Sequence, residues 1–480
     1  MPVLAPHEVL HMIFRSGTTF VGLGNPTEAR CTAYWHAFLE AGLGAEHPIN
    51  DVPLQQRGLC VPLHWHFDEV KVARSSGGDT QLMVASWSCA FARGEVTRTK
   101  FVFASLPVHL SSKRSNYRLA ELVIEAQKIL MTGRVPLLSE EKAGENITPG
   151  GHRFFFAGLK YDMEAKQKFN SFSRSYRHDL VCEWCQASKK HPNLFGDFRE
   201  HAQWTSTYVS HAEYMRHEAN SSWCTMPGWT LRSNFPDGMH NLFHNGLASN
   251  IVASVLRELC SEHVFAGDDL KDQLLNAHAE FMHWSANQLV LRDYDRHYVK
   301  PFVAAKFGLE SQSEYPCVST EYKCSSVRMM LMWLGNTYGL LASDDYISCR
   351  SCMLRCLCNY VSVTRSSDFI LTDAERALAY SSGRTALCCL QFVSHSALQQ
   401  GRCVYRILPK AHAFDHTLRT LLHGEANHGR LNPYYWENCC QESLLGKVKK
   451  IAARVHARTI LGRTLQRYVL RISHEMRIEV

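Results

Sequence analysis

The strongest constraint on the fold is a pattern of alternating apolar and polar residues that recurs three times in succession. The three segments are VPLHWHFDEVKV (61–72), TQLMVASWSCAF (80–91) and TRTKFVFASLPV (97–108), and turn-forming residues separate them. An amphipathic helical pattern, NYRLAELVIEAQKILMTG (116–133), and a further apolar strand pattern, HRFFFAGLKYD (152–162), follow. The sequence therefore predicts the order β-β-β-α-β, which begins with a three-stranded antiparallel meander.

The first of these strands contains a carboxylate, Asp68, in a stretch rich in aromatic and apolar residues. The order β-β-β-α-β resembles the opening of the RNase H-like fold, in which the fourth strand lies beside the first. That resemblance implies that Asp68 lies close to Asp162, which ends the fourth strand. The alternative for Asp68 is a solvent-facing position on an edge strand. We therefore expect an α/β protein with an RNase H-like core and a mixed five-stranded sheet.

Composition and periodicity divide the chain into four regions. Residues 1–58 show helical spacing of apolar residues and form a helical N-terminal accessory segment, and residues 59–164 form the first part of the RNase H-like core. Residues 165–430 have a mainly helical pattern with a Cys/His-rich stretch and form one long insertion. Residues 431–480 contain the basic helices that close the core. With 480 residues, 45% of them apolar, the chain can bury a large core.

Charge and cysteine usage bear on the partners and the compartment. The net charge is +7, and the residues from Lys447 onward include nine Lys or Arg against two Glu, which favours an acidic partner. The stretch MPVLAPHEVLHMIF lacks the pattern of a secretory signal, and the most apolar stretch, VRMMLMWLGNTYGLLAS, is short for a membrane span. We therefore expect the 18 cysteines to be reduced thiols of an intracellular protein, with metal binding open to some of them.

Two further stretches extend the resemblance over most of the chain, from about residue 58 to residue 471. They are FPDGMHNLFHNGLASNIVASVLREL and the tail that begins NPYYWENCCQESLLGKVKK. Together with the strands, they resemble the catalytic domain of DDE transposases, in the broad group that includes CACTA-like, hAT-like and Plavaka or KDZ-type transposable elements. The resemblance rests on the order of the motifs and on no single diagnostic signature.

The resemblance implies a set of site residues. In that group a first Asp lies on the first strand and a second follows the fourth strand, and these correspond to Asp68 and Asp162. The group also has a motif in which a Cys or Asp is followed, after two residues, by a His, and Asp237 and His240 match it here. The closing carboxylate lies on a late helix and corresponds to Glu442. Two Mg²⁺ or Mn²⁺ ions in such a site activate the attacking oxygen and stabilise the leaving oxygen of a phosphodiester, and hard cations prefer carboxylate ligands. Asp68, Asp162 and Glu442 are thus the expected catalytic metal ligands.

Alternatives remain open at several of these positions. Glu437 competes with Glu442, which is preferred because it leads directly into the basic amphipathic helix SLLGKVKKIAARV. Either Glu is also compatible with a simple charge near a helix N-terminus. Asp237 is compatible with an ordinary N-cap, in which case His240 only satisfies it.

The stretch PKAHAFDHTLR contains three accessory candidates, Lys410, His412 and His416. They precede the closing helix, where they could contact DNA phosphates or the scissile group near the metals. The alternative is a structural polar network, which is the commoner role of scattered histidines.

Two cysteine patterns have different interpretations. The spacing of Cys182 and Cys185 supplies half of a tetrahedral zinc site, which then requires two further Cys or His ligands from elsewhere in the chain. By contrast, Cys349, Cys352 and Cys356 have helical spacing with Leu and Met between them, which is typical of a buried helical stripe.

A basic face is predicted near the C-terminus. Lys447, Lys450, Arg454 and Arg458 recur at three- and four-residue spacing, which places them on one side of a helix. A solvated surface is the usual role of such a face, but a face of one charge beside a metal site suits DNA.

The leading hypothesis is a Mg²⁺-dependent DDE transposase that cleaves DNA and performs strand transfer in DNA recombination. It implies transposon ends and target DNA as partners, a nuclear or other intracellular location, and no membrane, and it leaves a homodimer open. The rivals are a catalytically inactive, transposon-derived DNA-binding or interaction protein, and a nuclease of the same fold.

Overall fold

The computed structural model describes most of the chain. The described residues are 2–15, 23–44, 46–72, 80–92, 99–110, 112–136, 143–170, 172–218, 221–288, 299–421, 430–456 and 459–476.

Five strands form one mixed sheet. They are β1 (Cys60–Val72), β2 (Thr80–Cys89), β3 (Phe101–Pro107), β4 (Arg153–Lys160) and β5 (Asn234–Phe235). Their order in the sheet is β3-β2-β1-β4-β5. Strand β2 is antiparallel to β1 and β3, whereas β4 is parallel to both β1 and β5. The predicted mixed five-stranded sheet and the β-β-β-α-β order of its first elements are confirmed.

The alternation within β1 gives the sheet two different faces. Trp65 is fully buried, and its indole N–H donates to the side chain of Gln127 over 2.9 Å. Because successive side chains of a strand point to opposite faces, His64, His66 and Asp68 share the other face. The strand therefore buries an apolar side and presents a polar side at the same time.

A helical crossover joins the meander to β4. Helix α3 (Lys113–Thr132) begins with a capping box in which Ser112 and Ser115 satisfy each other's backbone N–H groups, and it ends at Gly133, whose φ of 67° lies in the left-handed region that glycine adopts readily. After β4, helix α4 (Met163–Asn170) starts immediately. The crossover brings β4 back beside β1, as a parallel connection requires.

The N-terminal helices pack into the same core as the sheet. They are α1 (Pro6–Arg15) and α2 (Glu28–Glu40). Trp35 of α2 is fully buried, and its indole N–H donates to the carbonyl oxygen of Cys60 over 2.6 Å. The segment expected to be accessory therefore contributes directly to the core behind β1.

The region 165–430, expected to be one mainly helical insertion, differs in two respects. From Phe172 to Ser233 the described residues are largely irregular and include one short α-helix, α5 (His211–His217), and three 3₁₀ helices. Strand β5 then follows, so the fifth strand lies inside this region. The segment is irregular because it is anchored by separate large buried side chains, such as Trp184 and Trp204, and not by an apolar stripe along one helix.

The helical insertion proper begins after β5 and has its own hydrophobic core, separate from the core around the sheet. Its helices are α6 (Gly238–Leu242), α7 (Leu247–Ser261), α8 (Leu270–Asn287), α9 (Ala304–Phe307), α10 (Cys324–Tyr338), α11 (Asp345–Ser366), α12 (Asp373–Gln399) and α13 (Pro409–Arg419).

Two C-terminal helices pack against the sheet at β1 and at β3. Helix α14 (Cys439–Ala452) packs against β1 and buries Leu444 and Val448. Helix α15 (Ile460–Met476) packs against β3, where the Tyr468 hydroxyl hydrogen-bonds with the strand backbone. No helix within the described ranges combines the length and the apolar character that a membrane crossing requires.

Candidate functional site

Asp68 lies in β1, and Asp162 follows the end of β4, the parallel strand beside it. His66 of β1 pairs with Lys160 of β4, and each Asp follows its paired residue by two positions. Asp68 Oδ1 accepts a hydrogen bond from the backbone N–H of Glu69, and Asp162 Oδ1 accepts one from Ala165 over 2.6 Å, so that Asp162 caps α4. Both side chains are half-buried. The strand pairing thus brings together the first two expected carboxylates.

A buried Asp–His pair adjoins these carboxylates. Asp237 accepts hydrogen bonds from the backbone N–H groups of Met239 and Asn438, which makes it the N-cap of α6, and its second oxygen contacts Nδ1 of His240. Burial disfavours the charged Asp237, but the imidazole of His240 and the backbone hydrogen bonds from Asn438 and Met239 together outweigh that effect and lower the pKa of the carboxyl group. The N-cap geometry considered for Asp237 is therefore present in the structure.

His240 connects the pair electrostatically to the sheet carboxylates. Burial disfavours its charged form, but the carboxylates of Asp237, Asp162 and Asp68 together outweigh that effect, and the pKa of His240 is raised. These contributions show that residues from β1, the end of β4 and α6 share one polar region above the sheet.

Lys410 reaches the same region from α13. Its Nζ atom donates to the carbonyl oxygen of His244 over 2.6 Å. Burial lowers the pKa of Lys410, whereas Asp162 and Asp237 favour its charged form. Of the three accessory candidates on α13, Lys410 is the one whose charge acts on the carboxylates.

The two candidates for the closing carboxylate differ in their surroundings. Glu442 lies in the first turn of α14, the helix that packs against β1, and its side chain is outside the described part of the chain. Glu437 precedes the helix, its side chain is 9% exposed, and it forms an ion pair with Arg365 at 3.5 Å. Glu437 is therefore committed to a structural partner.

His66 belongs to this region although sequence reasoning did not select it. It is buried on the Asp68 side of β1, its Nδ1 atom lies 3.2 Å from the Ser86 hydroxyl, and its Nε2 atom has no hydrogen-bond partner among the described residues. Burial lowers the pKa of His66 to about 3, against an opposing effect of Asp237. The alternation that it shares with Asp68 was the signal that could have identified it.

A second cluster contains the two Cys–x–x–Cys cysteines and two histidines. One ligand atom from each of Cys182, Cys185, His412 and His416 lies within 4.8 Å of the other three, and all four residues are buried. Cys182 Sγ lies 3.3 Å from His416 Nε2, and Cys185 Sγ lies 3.3 Å from His412 Nε2. This Cys₂His₂ cluster could hold a metal ion, and the prediction that the two cysteines share a centre with two further ligands is confirmed.

Local structure orients each half of the cluster. The Trp184 N–H donates to Cys182 Sγ over 3.3 Å and the Ala187 N–H donates to Cys185 Sγ over 3.4 Å, so the turn directs both sulfurs to one side. His412 and His416 are one turn apart on α13. Both imidazoles lie on the face of α13 that meets the cysteines, as the structural alternative requires, and their contact with DNA stays a prediction.

The two sites are neighbours. A cavity of about 20 Å³ is lined by Asp162, Asp237 and His240 as well as by Cys182 and His416. A space of that size accommodates about one water molecule. The carboxylate region and the Cys₂His₂ cluster thus share a wall.

The remaining cysteine pattern was predicted as a buried stripe, and the structure differs in part. Cys349, Cys352 and Cys356 are half-buried, and the sulfurs of Cys352 and Cys356 lie 3.8 Å apart. Within the described ranges these thiols form no group of three or more potential metal ligands.

The predicted basic face is interrupted. Helix α14 ends at Ala452, so Arg454 lies beyond its last turn, and Arg458 is outside the described residues. Lys447 lies 3.9 Å from Glu475 of α15, whereas Lys450 is exposed. The three- and four-residue spacing of the basic residues was correct for α14, but that helix ends before Arg454. The next helix, α15, packs against α14, so the basic face does not continue past Ala452.

Comparisons with known proteins add no assignment. Neither a protein-family model nor a curated protein sequence matches the chain.

Proposed function

We propose that the protein is a metal-dependent enzyme that cleaves DNA phosphodiesters and transfers the resulting ends, in the manner of a DDE transposase. The observation that carries this proposal is that Asp68 and Asp162 each follow, by two residues, the last paired positions of the parallel strands β1 and β4. Two carboxylates from distant parts of the chain on one polar face are what a hard-cation site requires.

The sheet supports an RNase H-like assignment of the core. An antiparallel meander, a crossover helix and a fourth strand beside the first give the order β3-β2-β1-β4-β5, in which β2 alone runs against the others. Helix α14 packs against β1, and it carries Glu442 in its first turn. That arrangement is the one expected for three carboxylates that act together.

The residues present fit Mg²⁺ or Mn²⁺, because Asp68, Asp162 and Glu442 offer only oxygen donors. Such ions supply Lewis-acid activation of the attacking and leaving oxygens of a phosphodiester. The chain itself contributes positioning: Asp162 is fixed by its cap on α4, and His240 is fixed by Asp237. Lys410 adds a positive charge where a phosphate would approach.

We further propose that zinc occupies the Cys₂His₂ cluster. Zinc prefers thiolate and imidazole ligands in tetrahedral sites, and ligands at its usual distances lie roughly 3.5 Å apart. The closest sulfur–nitrogen separations here, 3.3 to 3.4 Å, agree with that geometry. Because all four ligands are buried side chains, the site has the closed character of structural zinc.

DNA is the partner that the proposal requires, and it would place the protein in the nucleus or another compartment with DNA. Lys449 and Lys450 are exposed on α14, the helix of Glu442. One observation favours the rival function, a DNA-binding module without turnover: Asp237, a buried carboxylate of the region, is already engaged by His240 and two backbone N–H groups.

A cleavage assay separates these functions. The full chain is incubated with labelled linear and branched DNA in Mg²⁺ or Mn²⁺, with EDTA and with Asp68→Asn as controls. Cleavage that requires the metal and Asp68 supports the enzyme, and joining of 3′-hydroxyl ends to a target plasmid separates a transposase from a nuclease. Salt-sensitive DNA binding without cleavage would support the rival and contradict the proposal.

A further inference from the structure

The Cys₂His₂ cluster lies where the two hydrophobic cores of the protein meet. Cys182 and Cys185 belong to the core around the sheet. His412 and His416 lie on α13, whose residues Ala411, Phe414 and Leu418 belong to the core of the helical insertion. A metal bound by all four side chains would therefore join the sheet to the insertion.

The cysteine half of the cluster is linked to Asp162. Glu183, between the two cysteines, forms an ion pair with Lys166 at 2.8 Å, and both side chains are largely buried. Lys166 lies on α4, one turn after Asp162, and its Nζ atom also donates to the carbonyl oxygen of Asn234 in β5. This ion pair therefore links the Cys–x–x–Cys turn to α4, the helix that Asp162 caps.

The histidine half of the cluster is linked to Lys410. Lys410 precedes His412 by two residues in the first turn of α13, and its Nζ atom donates to the carbonyl oxygen of His244. Helix α13 packs against α6, which carries His240. The position of α13 therefore sets where the Lys410 charge stands relative to Asp162 and Asp237.

A packing contact reinforces the same junction. The indole of Trp204 lies against both imidazoles, with ring centroids 4.4 Å from His412 and 5.2 Å from His416. The cluster itself places two thiols and two imidazoles together in a buried space. A bound divalent cation would take all four side chains as ligands and so hold the two segments together.

We propose that the metal at Cys182, Cys185, His412 and His416 is a clamp that holds Asp162 and Lys410 in register at the carboxylate site. This inference rests on the function proposed above for Asp68 and Asp162. The metal does not take part in the reaction; it couples the turn that follows α4 to α13, the last helix of the insertion. Its loss loosens α4 and α13 together and leaves β1 to β3 in place.

The test uses the full chain and the variant Cys182→Ser, with Cys224→Ser as a matched control because Cys224 is half-buried and outside the cluster. The number of zinc ions per chain is measured by elemental mass spectrometry. Backbone hydrogen exchange is measured in residues 163–186 and 409–419. We expect about one zinc per wild-type chain and none in Cys182→Ser. Exchange should rise in both segments of that variant, and Mn²⁺ affinity should fall by about tenfold or more.

A second variant covers the case in which Cys182→Ser does not fold. Glu183→Gln keeps all four ligands but weakens the ion pair to Lys166, so it should retain zinc and still bind Mn²⁺ less tightly than wild type. Zinc-free wild-type protein, or zinc loss that leaves exchange in residues 409–419 unchanged, overturns the clamp. Wild-type protein that neither binds Mn²⁺ nor cleaves DNA overturns the proposed function instead, and coupled exchange would then still support the clamp.

Discussion

Cys185 and His412 are 227 residues apart in the chain, yet the Sγ atom of one lies 3.3 Å from the Nε2 atom of the other. The contact closes the helical insertion back onto the turn that follows α4. Because Asp162 caps α4 and Lys410 lies in the first turn of α13, the same closure shapes the neighbouring carboxylate region. Both candidate sites of this protein therefore depend on one long-range junction.

Asp68→Asn should remove metal-dependent DNA cleavage and preserve the fold. The loss should exceed about 100-fold, because an amide cannot replace a charged ligand preorganised for the reaction. Stability should be unchanged or slightly higher, because Asp68 is half-buried and neutralising it relieves repulsion from Asp162. Cleavage rates and urea unfolding measure the two effects, with the exposed Asp268→Asn as the control. Full activity in Asp68→Asn would exclude this site.

Glu437→Gln and Glu442→Gln should have opposite effects. Glu437→Gln removes the charge of a nearly buried pair with Arg365, so the free energy of unfolding should fall by about 3 kcal/mol while cleavage at low temperature persists. Glu442→Gln should abolish cleavage with little change in stability.

Thermal unfolding and cleavage assays on the same preparations compare the two variants. The reverse result, a stable and inactive Glu437→Gln beside an active Glu442→Gln, would make Glu437 the third catalytic carboxylate.

Asp237→Asn should destabilise the protein in a pH-dependent way. The raised pKa of His240 contributes stability that is present below its unfolded value of 6.5 and is lost as the pH rises through the folded value. The lowered pKa of Asp237 contributes stability that is present above its unfolded value of 3.8 and is lost as the pH falls through the folded value. The pair thus stabilises most strongly between the two unfolded pKa values, 3.8 and 6.5.

Urea unfolding without added Mg²⁺ between about pH 5 and pH 9 tests this expectation. The free energy of unfolding of Asp237→Asn should lie about 3 kcal/mol below wild type near pH 5 and approach it above the pKa of His240. The imidazole resonance of His240 should titrate at lower pH in the variant. A difference in the free energy of unfolding between wild type and Asp237→Asn that stays constant across this pH range would show that the two groups do not titrate as a pair.

Charge reversal at Lys450 should weaken DNA binding without unfolding the protein. Lys450 is exposed on α14, and each lost phosphate contact lowers the slope of log K against log salt by about 0.9 for duplex DNA. The double variant Lys450→Glu/Arg454→Glu should therefore make that slope less steep by the equivalent of about one to two phosphate contacts. Lys271→Glu, an exposed position on α8, is the control. Equal slopes for all three proteins would make α14 a plain surface helix.

The strand pattern was predictable because period-two alternation and turn residues are local properties. The bounds of β1, β2, β3 and β4 agree with the predicted segments within a few residues, and Gly133 ends α3 as expected. The adjacency of Asp68 and Asp162 followed from the order of these elements, since the crossover fixes which strand lies beside β1. Strand β5 has only two residues, so it is too short to show any periodicity in the sequence and could not be predicted.

The sequence by itself determined the mixed sheet, the position of its two carboxylates and the half-site formed by Cys182 and Cys185, because each depends on local spacing or on strand order. Only the tertiary structure decided that His412 and His416 complete the cysteine cluster, that Glu437 is held by Arg365, and that the basic face breaks after Ala452. These outcomes depend on where the insertion folds back onto the sheet. Helical spacing shows which side chains share a face, but the partner of that face is chosen by packing between segments that lie hundreds of residues apart.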